Sequence, residues 1–292
     1  MIVGFSPGGV ADVTGRLLAQ KLGETLGQPV IIENRPGASG AIATERVATS
    51  AADGYTLLAM TAADTVIPSL RAKLPYNLER DLLPVSLVAI APFLLVVHPS
   101  VPAQNVKELI SLARMRPGKL SYGSVGVGST PHLSAEALKM MANVDIVHVP
   151  YKGGADNVIA NSTGDVDMVF ASIPSLLPLI GSDKPRLRAI AVTSTKRASL
   201  MPEIPTLSES GLPGYNRSSW VGILAPAGTP KEIIARLNAA IGKSVNASGM
   251  RQAFIKQGLE PQTNTPEQFA TYIHGELVQN AKLIKFIGVN AE

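Results

Sequence analysis

Two glycine-rich stretches combine the residue types that bind small anions through the backbone. The first runs from Phe5 to Asp12 with the sequence FSPGGVAD, and the second runs from Gly123 to His132 with the sequence GSVGVGSTPH. Each follows a strand-like run and precedes a segment of helical periodicity. Because a helix begins with unpaired N–H groups at the positive end of its dipole, such a turn can bind an anion. An ordinary strand-to-helix turn is the alternative for either stretch alone, and the repeated design favours the anion site.

Neither stretch completes a cofactor or catalytic motif. A dinucleotide-binding fingerprint that includes Gly126 and Gly128 needs a third glycine at position 131, where proline stands. Ser129 and His132 lack the nucleophile elbow of a hydrolase, and serine chemistry needs a nucleophile, a base and an orienting group together. In the second stretch, Thr130 is predicted to be the helix N-cap, with Pro131 at the first helical position. We therefore expect no catalytic residue and no cofactor.

Metal binding is also disfavoured by the residues available. The chain has no cysteine, which excludes a disulfide, a thiolate zinc site and a thiol nucleophile. No histidine pairs with another histidine or a glutamate at metal-ligand spacing, so we expect no metal site. His98 and His148 lie at predicted strand ends, where a locally hydrogen-bonded histidine is the more frequent role.

Composition indicates a folded protein of about two domains. The chain of 292 residues is 46% hydrophobic and 16% charged, so it can bury sizeable cores. Its formal net charge of +4 is small, and the scattered Lys and Arg residues argue against nucleic-acid binding. No apolar run reaches the length of a membrane span. The chain opens almost inside a strand at Ile2, from which we expect that an export signal has been removed.

Strand-like and helical segments alternate along most of the chain, the pattern of a parallel sheet covered on both faces. Two adjacent apolar runs, Val85 to Ile90 and Phe93 to His98, interrupt the alternation, which then restarts. Together with a strand near Trp220, this restart predicts that the chain crosses twice between two domains.

The predicted domains follow from those crossings. One α/β lobe comprises residues 1–98 plus 219–292, and the other, residues 99–218, is inserted into it. Two lobes joined by two crossing strands enclose a cleft. Since ligands of open α/β sheets bind beyond the carboxyl ends of the strands, both glycine-rich turns are expected to face that cleft.

Short motifs along the chain carry a family resemblance. They are, in order, Phe5–Gly9 with Asp12, Glu33–Ala38 with Gly40, Asp53–Leu57, Val149–Gly153, Pro205–Leu207 with Glu209 and Gly211, and Ala225-Pro226 with Gly228–Pro230. Each motif alone is weak, but their order and spacing are specific. Through them nearly the whole chain resembles the extracytoplasmic solute-binding receptors of tripartite tricarboxylate transporters, the Bug family. Ser6 departs from the family's common opening, where proline is frequent.

The resemblance implies a two-lobed, type II-like periplasmic-binding-protein fold and a periplasmic receptor without catalysis. Such a receptor closes by hinge motion on a small organic carboxylate and delivers it to the transporter's membrane subunits. We expect this receptor to be a monomer. The far end of the ligand meets residues that differ among family members, so the identity of the carboxylate does not carry over.

The resemblance also implies which residues bind the ligand. In the family, the loop after the first strand and the glycine-rich loop of the other lobe hold the carboxylate, partly through water. The residues carried over are Phe5, Pro7, Gly8, Gly9, Gly126, Gly128, Ser129 and Thr130, with Thr61, Ala62 and Tyr151 as neighbours and Ala171 and Ser172 toward the far end.

Two other classes of function remain open. One is an α/β hydrolase or transferase that acts on a carboxylated substrate, which the missing nucleophile elbow and metal ligands disfavour. The other is a sensory module that presents its ligand to a signalling partner. A sensory module would have the same sequence features as a transport receptor, and only the partner distinguishes these two functions.

Overall fold

The structure is a computed structural model that describes residues 1–181 and 185–289. The strands are β1 Ile2–Val3, β2 Glu33–Asn34, β3 Leu58–Thr61, β4 Leu82–Ala91, β5 Phe93–Val97, β6 Ser121–Ser124, β7 Val147–Pro150, β8 Met168–Ser172, β9 Arg188–Val192, β10 Ser219–Pro226 and β11 Glu260–Pro261. The α-helices are α1 Val10–Leu26, α2 Ala41–Ala48, α3 Ile67–Leu70, α4 Leu78–Asp81, α5 Val106–Met115, α6 Thr130–Ala142, α7 Gly154–Thr163, α8 Ile173–Ile180, α9 Lys231–Asn246, α10 Met250–Lys256 and α11 Pro266–Ile287. Short 3-10 helices occur at Ala38–Gly40 and Ala62–Thr65. Within the described residues, no helix has the length and apolar character needed to cross a membrane.

The chain forms two compact units. The first unit comprises Met1–Ala91 and the chain from Trp220 onward, and the second unit comprises Pro92–Ser219. The first boundary therefore precedes β5, whereas the hydropathy pattern placed it at 98/99. The reason is that β5 pairs with β8 and β9, both in the second unit. The second boundary lies one residue beyond the predicted 218/219.

The first unit contains a six-stranded sheet in the order β11-β4-β10-β3-β1-β2. Strand β1 is parallel to β2 and β3, whereas β10 is antiparallel to β3, and β11 is antiparallel to β4. This sheet is mixed, although the alternation of elements predicted a parallel one. The chain enters β10 from the second unit rather than through a crossover helix, and so the parallel direction is not imposed on it.

Helices cover both faces of this first sheet. Val3 and Ala59 belong to one core cluster, whereas their chain neighbours Ile2 and Leu58 belong to another. The first cluster contains residues of α1 and α9, and the second contains residues of α2 and α11. Because successive strand residues point to opposite faces, both faces are buried. The strand ends are therefore the places where this sheet can meet a ligand.

The second unit contains a five-stranded sheet in the order β7-β6-β8-β5-β9. Strand β6 is parallel to both of its neighbours, β7 and β8, while β5 is antiparallel to β8 and β9. The carboxyl ends of β6, β7 and β8 therefore lie at one edge of the sheet. Their following segments emerge together there, which is where open α/β sheets bind ligands.

Candidate functional site

The candidate residues of the first unit lie at one edge of its sheet. Strands β1 and β3 are adjacent and parallel, so the segments that follow them emerge side by side. After β1, Phe5 is half-buried against the core, and Pro7, Gly8 and Gly9 are exposed. At the end of β3, Thr61 and Ala62 are buried. The structure therefore brings these six candidates to one edge, with only the glycine turn open to solvent.

Asp12 holds the first glycine turn from within. Its Oδ2 atom accepts the Gly8 N–H at 2.9 Å and Arg16 Nε–H at 3.0 Å, and its Oδ1 accepts from Asn34 Nδ2 at 2.9 Å. The same Asn34 amide donates to the Phe5 carbonyl at 3.0 Å. Burial alone would raise the pKa of Asp12, but the hydrogen bonds from Arg16, Gly8 and Asn34 outweigh it and lower the pKa. The carboxylate stays ionised and fixes the turn.

The N–H groups available at the first turn are not those of its glycines. The Gly8 N–H is bound by Asp12, and the Gly9 N–H donates to the Ser6 carbonyl at 3.4 Å. Helix α1 begins at Val10, and within the described residues the N–H groups of Val10 and Ala11 have no acceptor. The glycines shape the turn, with Gly8 at a φ of 85°, and the first helical turn supplies the free donors.

The candidate residues of the second unit also share one edge. The glycine-rich loop follows β6, Tyr151 follows β7, and Ala171 and Ser172 end β8. The Tyr151 N–H donates to the carbonyl of Ser124 at 2.8 Å, which ties two of these segments together. Tyr151 is half-buried, Ala171 is buried, and the Ser172 hydroxyl donates to Ser175 Oγ at 2.9 Å.

The glycine-rich loop is closed by hydrogen bonds of its own. The Gly126 carbonyl accepts from Ser129 Oγ at 2.6 Å and from the Ser129 N–H at 3.3 Å. The Gly126 N–H donates to Ser124 Oγ at 3.1 Å, and the Gly128 N–H donates to Nδ1 of His132 at 3.3 Å. Three N–H groups of the loop are thus satisfied internally, and the loop has a defined shape without a ligand.

Helix α6 begins one residue earlier than the sequence predicts. Its N-cap is Ser129, whose Oγ accepts the His132 N–H at 3.4 Å, and Thr130 is already its first residue. Both residues are good caps, and the extended backbone of Ser129 selects it. Within the part of the chain that the structure describes, the hydroxyl and N–H of Thr130 and the N–H of Val127 have no acceptor. These are the donors that the second loop can offer.

A compact group of ionisable side chains lies beneath the second loop. Glu136 accepts from the Tyr122 hydroxyl and forms an ion pair with Lys139 at 2.7 Å. The rings of His132 and His148 have centroids 4.5 Å apart, and the ring of Tyr122 stacks on His148 at 4.9 Å. Burial and then the neighbouring His148 lower the pKa of His132 to about 4, and burial lowers the pKa of His148. The ring of His132 is therefore neutral at pH 7.

Thr61, at the candidate edge of the first unit, is held by a buried carboxyl group. Asp64 Oδ2 accepts from the N–H and from the hydroxyl of Thr61, each at 2.8 Å. Asp64 is 2% exposed, and burial raises its pKa to about 6 despite these hydrogen bonds. The Thr61 hydroxyl is committed to Asp64, so this candidate contributes structure rather than a free donor.

We expect acidification to stabilise the wild-type protein relative to Asp64→Asn. The folded pKa of Asp64 is about 6 and the ordinary value is 3.8, so between these values the folded state binds more protons. The free energy of unfolding of the wild type, relative to that of Asp64→Asn, should therefore rise by about 2 kcal/mol from pH 7 to pH 4.5. Urea denaturation of both proteins at the two pH values measures it. The pH dependence of the wild type alone would not reveal this effect, because protonation of His132 destabilises the folded state over the same pH range. The comparison with Asp64→Asn removes the contribution of His132. A difference that does not change with pH would contradict the raised pKa of Asp64.

The sequence analysis missed the residues that support the two loops. Asp12 lies four residues from both Gly8 and Arg16, a helical spacing that could have indicated these bonds. The expected local hydrogen bond is confirmed for His98, whose Nδ1 lies 2.7 Å from Ser100 Oγ. His148 instead bonds through Nε2 to Ser124 Oγ at 2.6 Å, on the neighbouring strand. Its pairing with His132 depends on the adjacency of β6 and β7, which no local pattern reveals. Among residues 1–181 and 185–289, no three His, Asp or Glu side chains converge to hold a metal ion.

The two glycine turns and the helices that follow them are typical of one class of protein. Two α/β units each carry a strand, a glycine turn and a helix whose first N–H groups are free to bind an anion. This arrangement suits a protein that binds a small anionic solute. A family model described as "Tripartite tricarboxylate transporter family receptor" matches residues 14–289, and the chain belongs to this family.

Individual relatives agree with the family match over most of their lengths. Protein BugT of Bordetella pertussis is 37% identical over 290 residues, which are 99% of this chain and 88% of that protein. The structure of R. palustris Rpa4515 with adipate is 36% identical, with a TM-score of 0.81 and coverage of 100% of this chain and 97% of that one. MatC (Rpa3494) from Rhodopseudomonas palustris with bound malate is 30% identical, with a TM-score of 0.76 and 97% coverage of each chain.

The comparisons confirm the predicted family and the predicted periplasmic-binding-protein fold. The family consists of solute-binding receptors of a transporter, and membership implies a periplasmic location.

Proposed function

We propose that this protein captures a small organic carboxylate and delivers it, without converting it, to the membrane subunits of a tripartite tricarboxylate transporter. The observation that carries the proposal is the set of free donors at the two helix starts, on Val10, Ala11 and Thr130. Related structures that contain adipate and malate support a carboxylate as the ligand. The protein acts as a monomer in this proposal.

The ligand is held by hydrogen bonds rather than by a salt bridge. Neither glycine-rich stretch contains lysine or arginine. A hydrogen bond to a charged group contributes roughly 1.5–3 kcal/mol, so a few N–H and hydroxyl donors can hold a carboxylate. In this arrangement Pro7, Gly8, Gly9, Gly126 and Gly128 shape the loops. Phe5 beside the first turn, and Tyr151, Ala171 and Ser172 beside the second loop, are proposed to contact the rest of the ligand.

The proposal predicts binding without turnover. Thermal-shift screening with adipate, malate, aromatic acids and amino acids should raise the melting temperature for at least one organic acid, because a ligand that binds only the folded state stabilises it. That acid is then incubated with an equimolar amount of protein and recovered for chemical analysis, with heat-denatured protein as the control. We expect unchanged acid. Stoichiometric conversion would exclude the receptor and favour the hydrolase or transferase alternative.

Two substitutions in the second unit test whether hydrogen bonds hold the ligand. Thr130→Ala removes one free hydroxyl and keeps the N–H, so we expect the Kd to rise about three- to tenfold. Water can take over part of this role, which sets the lower end of that range. Lys152→Met removes the exposed cation next to Tyr151 and should change the Kd less than twofold. Calorimetric titration of both variants with the same acid is the measurement. The opposite ranking would indicate that a cation holds the carboxylate.

The identity of the partner separates transport from sensing. Affinity purification of the tagged protein from its native membranes, in the presence of the stabilising acid, should recover transporter membrane subunits. Recovery of a signalling receptor in their place would favour the sensory module.

A further inference from the structure

We propose that His132 is a positioning residue for ligand binding, because the Nδ1 atom of its neutral ring fixes the orientation of the Val127–Gly128 peptide. The inference rests on the proposed function, since the glycine-rich loop is the element proposed to hold the carboxylate. His132 itself makes no contact with the ligand in this proposal. It acts through the loop.

The contact between His132 and Gly128 defines the state of the ring. The Gly128 N–H donates to Nδ1 at 3.3 Å, so Nδ1 carries no proton, and the proton of the neutral ring lies on Nε2. His132 is 2% exposed, which leaves water little access to compete for this bond. Gly128 has a φ of 80°, a conformation that glycine adopts without strain and that leaves the peptide free to rotate. The imidazole therefore supplies a restraint that the backbone lacks.

The same residue joins the loop to the first turn of α6. The backbone N–H of His132 is capped by Ser129 Oγ at 3.4 Å, and the Ser129 hydroxyl in turn donates to the Gly126 carbonyl at 2.6 Å. His132 thus holds the loop at Gly128 through its ring and at Ser129 through its backbone. The free donors of Val127 and Thr130 lie on either side of Gly128 and Ser129, so the direction of these donors depends on His132.

His148 provides a second support of the same kind. Its Nε2 lies 2.6 Å from Ser124 Oγ, and that oxygen accepts the Gly126 N–H at 3.1 Å. Two imidazole rings 4.5 Å apart therefore hold the N–H groups of both loop glycines, one directly and one through a hydroxyl. This arrangement places both rings beneath the loop as a single support.

Protonation of His132 would break the support. A proton on Nδ1 would face the Gly128 N–H, and two donors would then meet without an acceptor. The titratable groups around the ring are Glu136 and Lys139 on α6, Tyr122 on β6 and His148 on β7. Glu136 favours the imidazolium, and Lys139 and His148 oppose it. Burial adds to this opposition, and the pKa of His132 is lowered to about 4.

Two variants separate positioning from packing. In His132→Asn, the side-chain oxygen stands close to the place of Nδ1 and can accept the Gly128 N–H, but it does not titrate. In His132→Leu, the acceptor is lost while an apolar side chain fills the space. With adipate as the probe at pH 7.5, calorimetry should give a Kd at least tenfold higher for His132→Leu and within threefold of wild type for His132→Asn. A folded His132→Leu variant that binds adipate as tightly as wild type would overturn the proposal.

The pH profile gives a readout that simple packing would not change. Adipate titrates in the same range, so the quantity compared is the ratio of the wild-type Kd to the His132→Asn Kd at each pH. This ratio should rise about twofold between pH 7.5 and pH 4, where half of the wild-type imidazole is protonated. A ratio that stays constant or falls would overturn the role of the neutral ring.

A measurement without ligand separates this inference from the proposed function. Nitrogen-15 spectra of the histidine rings at pH 7 should show His132 with an unprotonated Nδ1, and the Gly128 amide should exchange at least tenfold faster in His132→Leu than in wild type. If none of the screened organic acids binds wild type, the proposed ligand class fails, yet these spectra still decide whether His132 fixes the Gly128 peptide. A protonated Nδ1 at pH 7 would overturn the inference, whether or not His132→Leu folds.

Discussion

Gly8→Val is expected to raise the Kd for the carboxylate at least about a hundredfold, equivalent to about 3 kcal/mol. Gly8 has a φ of 85°, which a β-branched residue adopts only with strain. Relief of that strain would withdraw the Gly8 N–H from Asp12 and turn the exposed loop away from its present shape. Apart from its chain neighbours, a Cβ atom at Gly8 meets no atom of the described residues within 4 Å, so the added side chain projects from the open side of the turn. Calorimetric titration with the stabilising acid measures the effect.

Gly27→Val is the matched control for this prediction. Gly27 has a φ of 71° at the C-cap of α1, and a Cβ atom there also meets nothing within 4 Å among the described residues other than its chain neighbours. The substitution introduces comparable backbone strain far along the helix from the glycine turn. We expect both variants to lose about 1–2 kcal/mol of stability, but only Gly8→Val to lose binding. Normal binding by a folded Gly8→Val variant would show that the ligand does not approach this turn.

Asp12→Ala should abolish most binding although Asp12 is buried and offers no donor to a ligand. Its carboxylate accepts hydrogen bonds from Gly8, Arg16 and Asn34, and the substitution leaves all three donors without this acceptor. We expect a loss of about 2–3 kcal/mol in stability and a rise in Kd of about thirtyfold, because the turn that Asp12 fixes would become mobile. Denaturant unfolding and calorimetry on the same preparation provide both numbers.

Asp12→Asn keeps the acceptor for the Gly8 N–H and removes the negative charge. Its amide oxygen can still accept from the Gly8 N–H and from Arg16 Nε, but the charge and the ion pair with Arg16 are lost, and the amide NH2 group takes the place of Oδ1, which accepted from Asn34. Because Arg16 is 54% exposed, that ion pair contributes little, and binding should remain within about tenfold of wild type. Equal losses in both variants would indicate that the negative charge or the hydrogen bond from Asn34, rather than the acceptor for Gly8, holds the turn. Normal binding by Asp12→Ala would mean that the turn is held without Asp12.

The sequence was sufficient to predict the positions of the two glycine turns but not their free donors. A strand, glycines and then an amphipathic helix form a local pattern, and the structure places Gly8 and Gly128 in turns of this kind. Which N–H groups remain free depends on contacts between distant segments. Asn34 reaches Asp12 only because β2 pairs with β1, and His148 reaches Ser124 only because β7 pairs with β6.

The unit boundary shows the same limit of local patterns. The runs Val85 to Ile90 and Phe93 to His98 are equally apolar, and nothing in either one specifies its sheet. Only the pairing of β5 with β8 and β9 assigns the second run to the second unit. The predicted N-cap of α6, Thr130, is one residue away from the observed N-cap, Ser129, for a related reason. Ser129 and Thr130 cap helices comparably well, and the choice follows from the closure of the loop on Gly126.

The place of β10 in the first sheet has a consequence for how the chain folds as it is synthesised. This strand lies between β4 and β3, yet it follows the whole second unit in the chain. The second unit is a single continuous segment and can fold as soon as it has been made. The first sheet, by contrast, lacks an interior strand until Pro226 has been added. Until then β3 has one unpaired edge and β4 lacks both of its neighbours, so completion of the first sheet is a late event in folding.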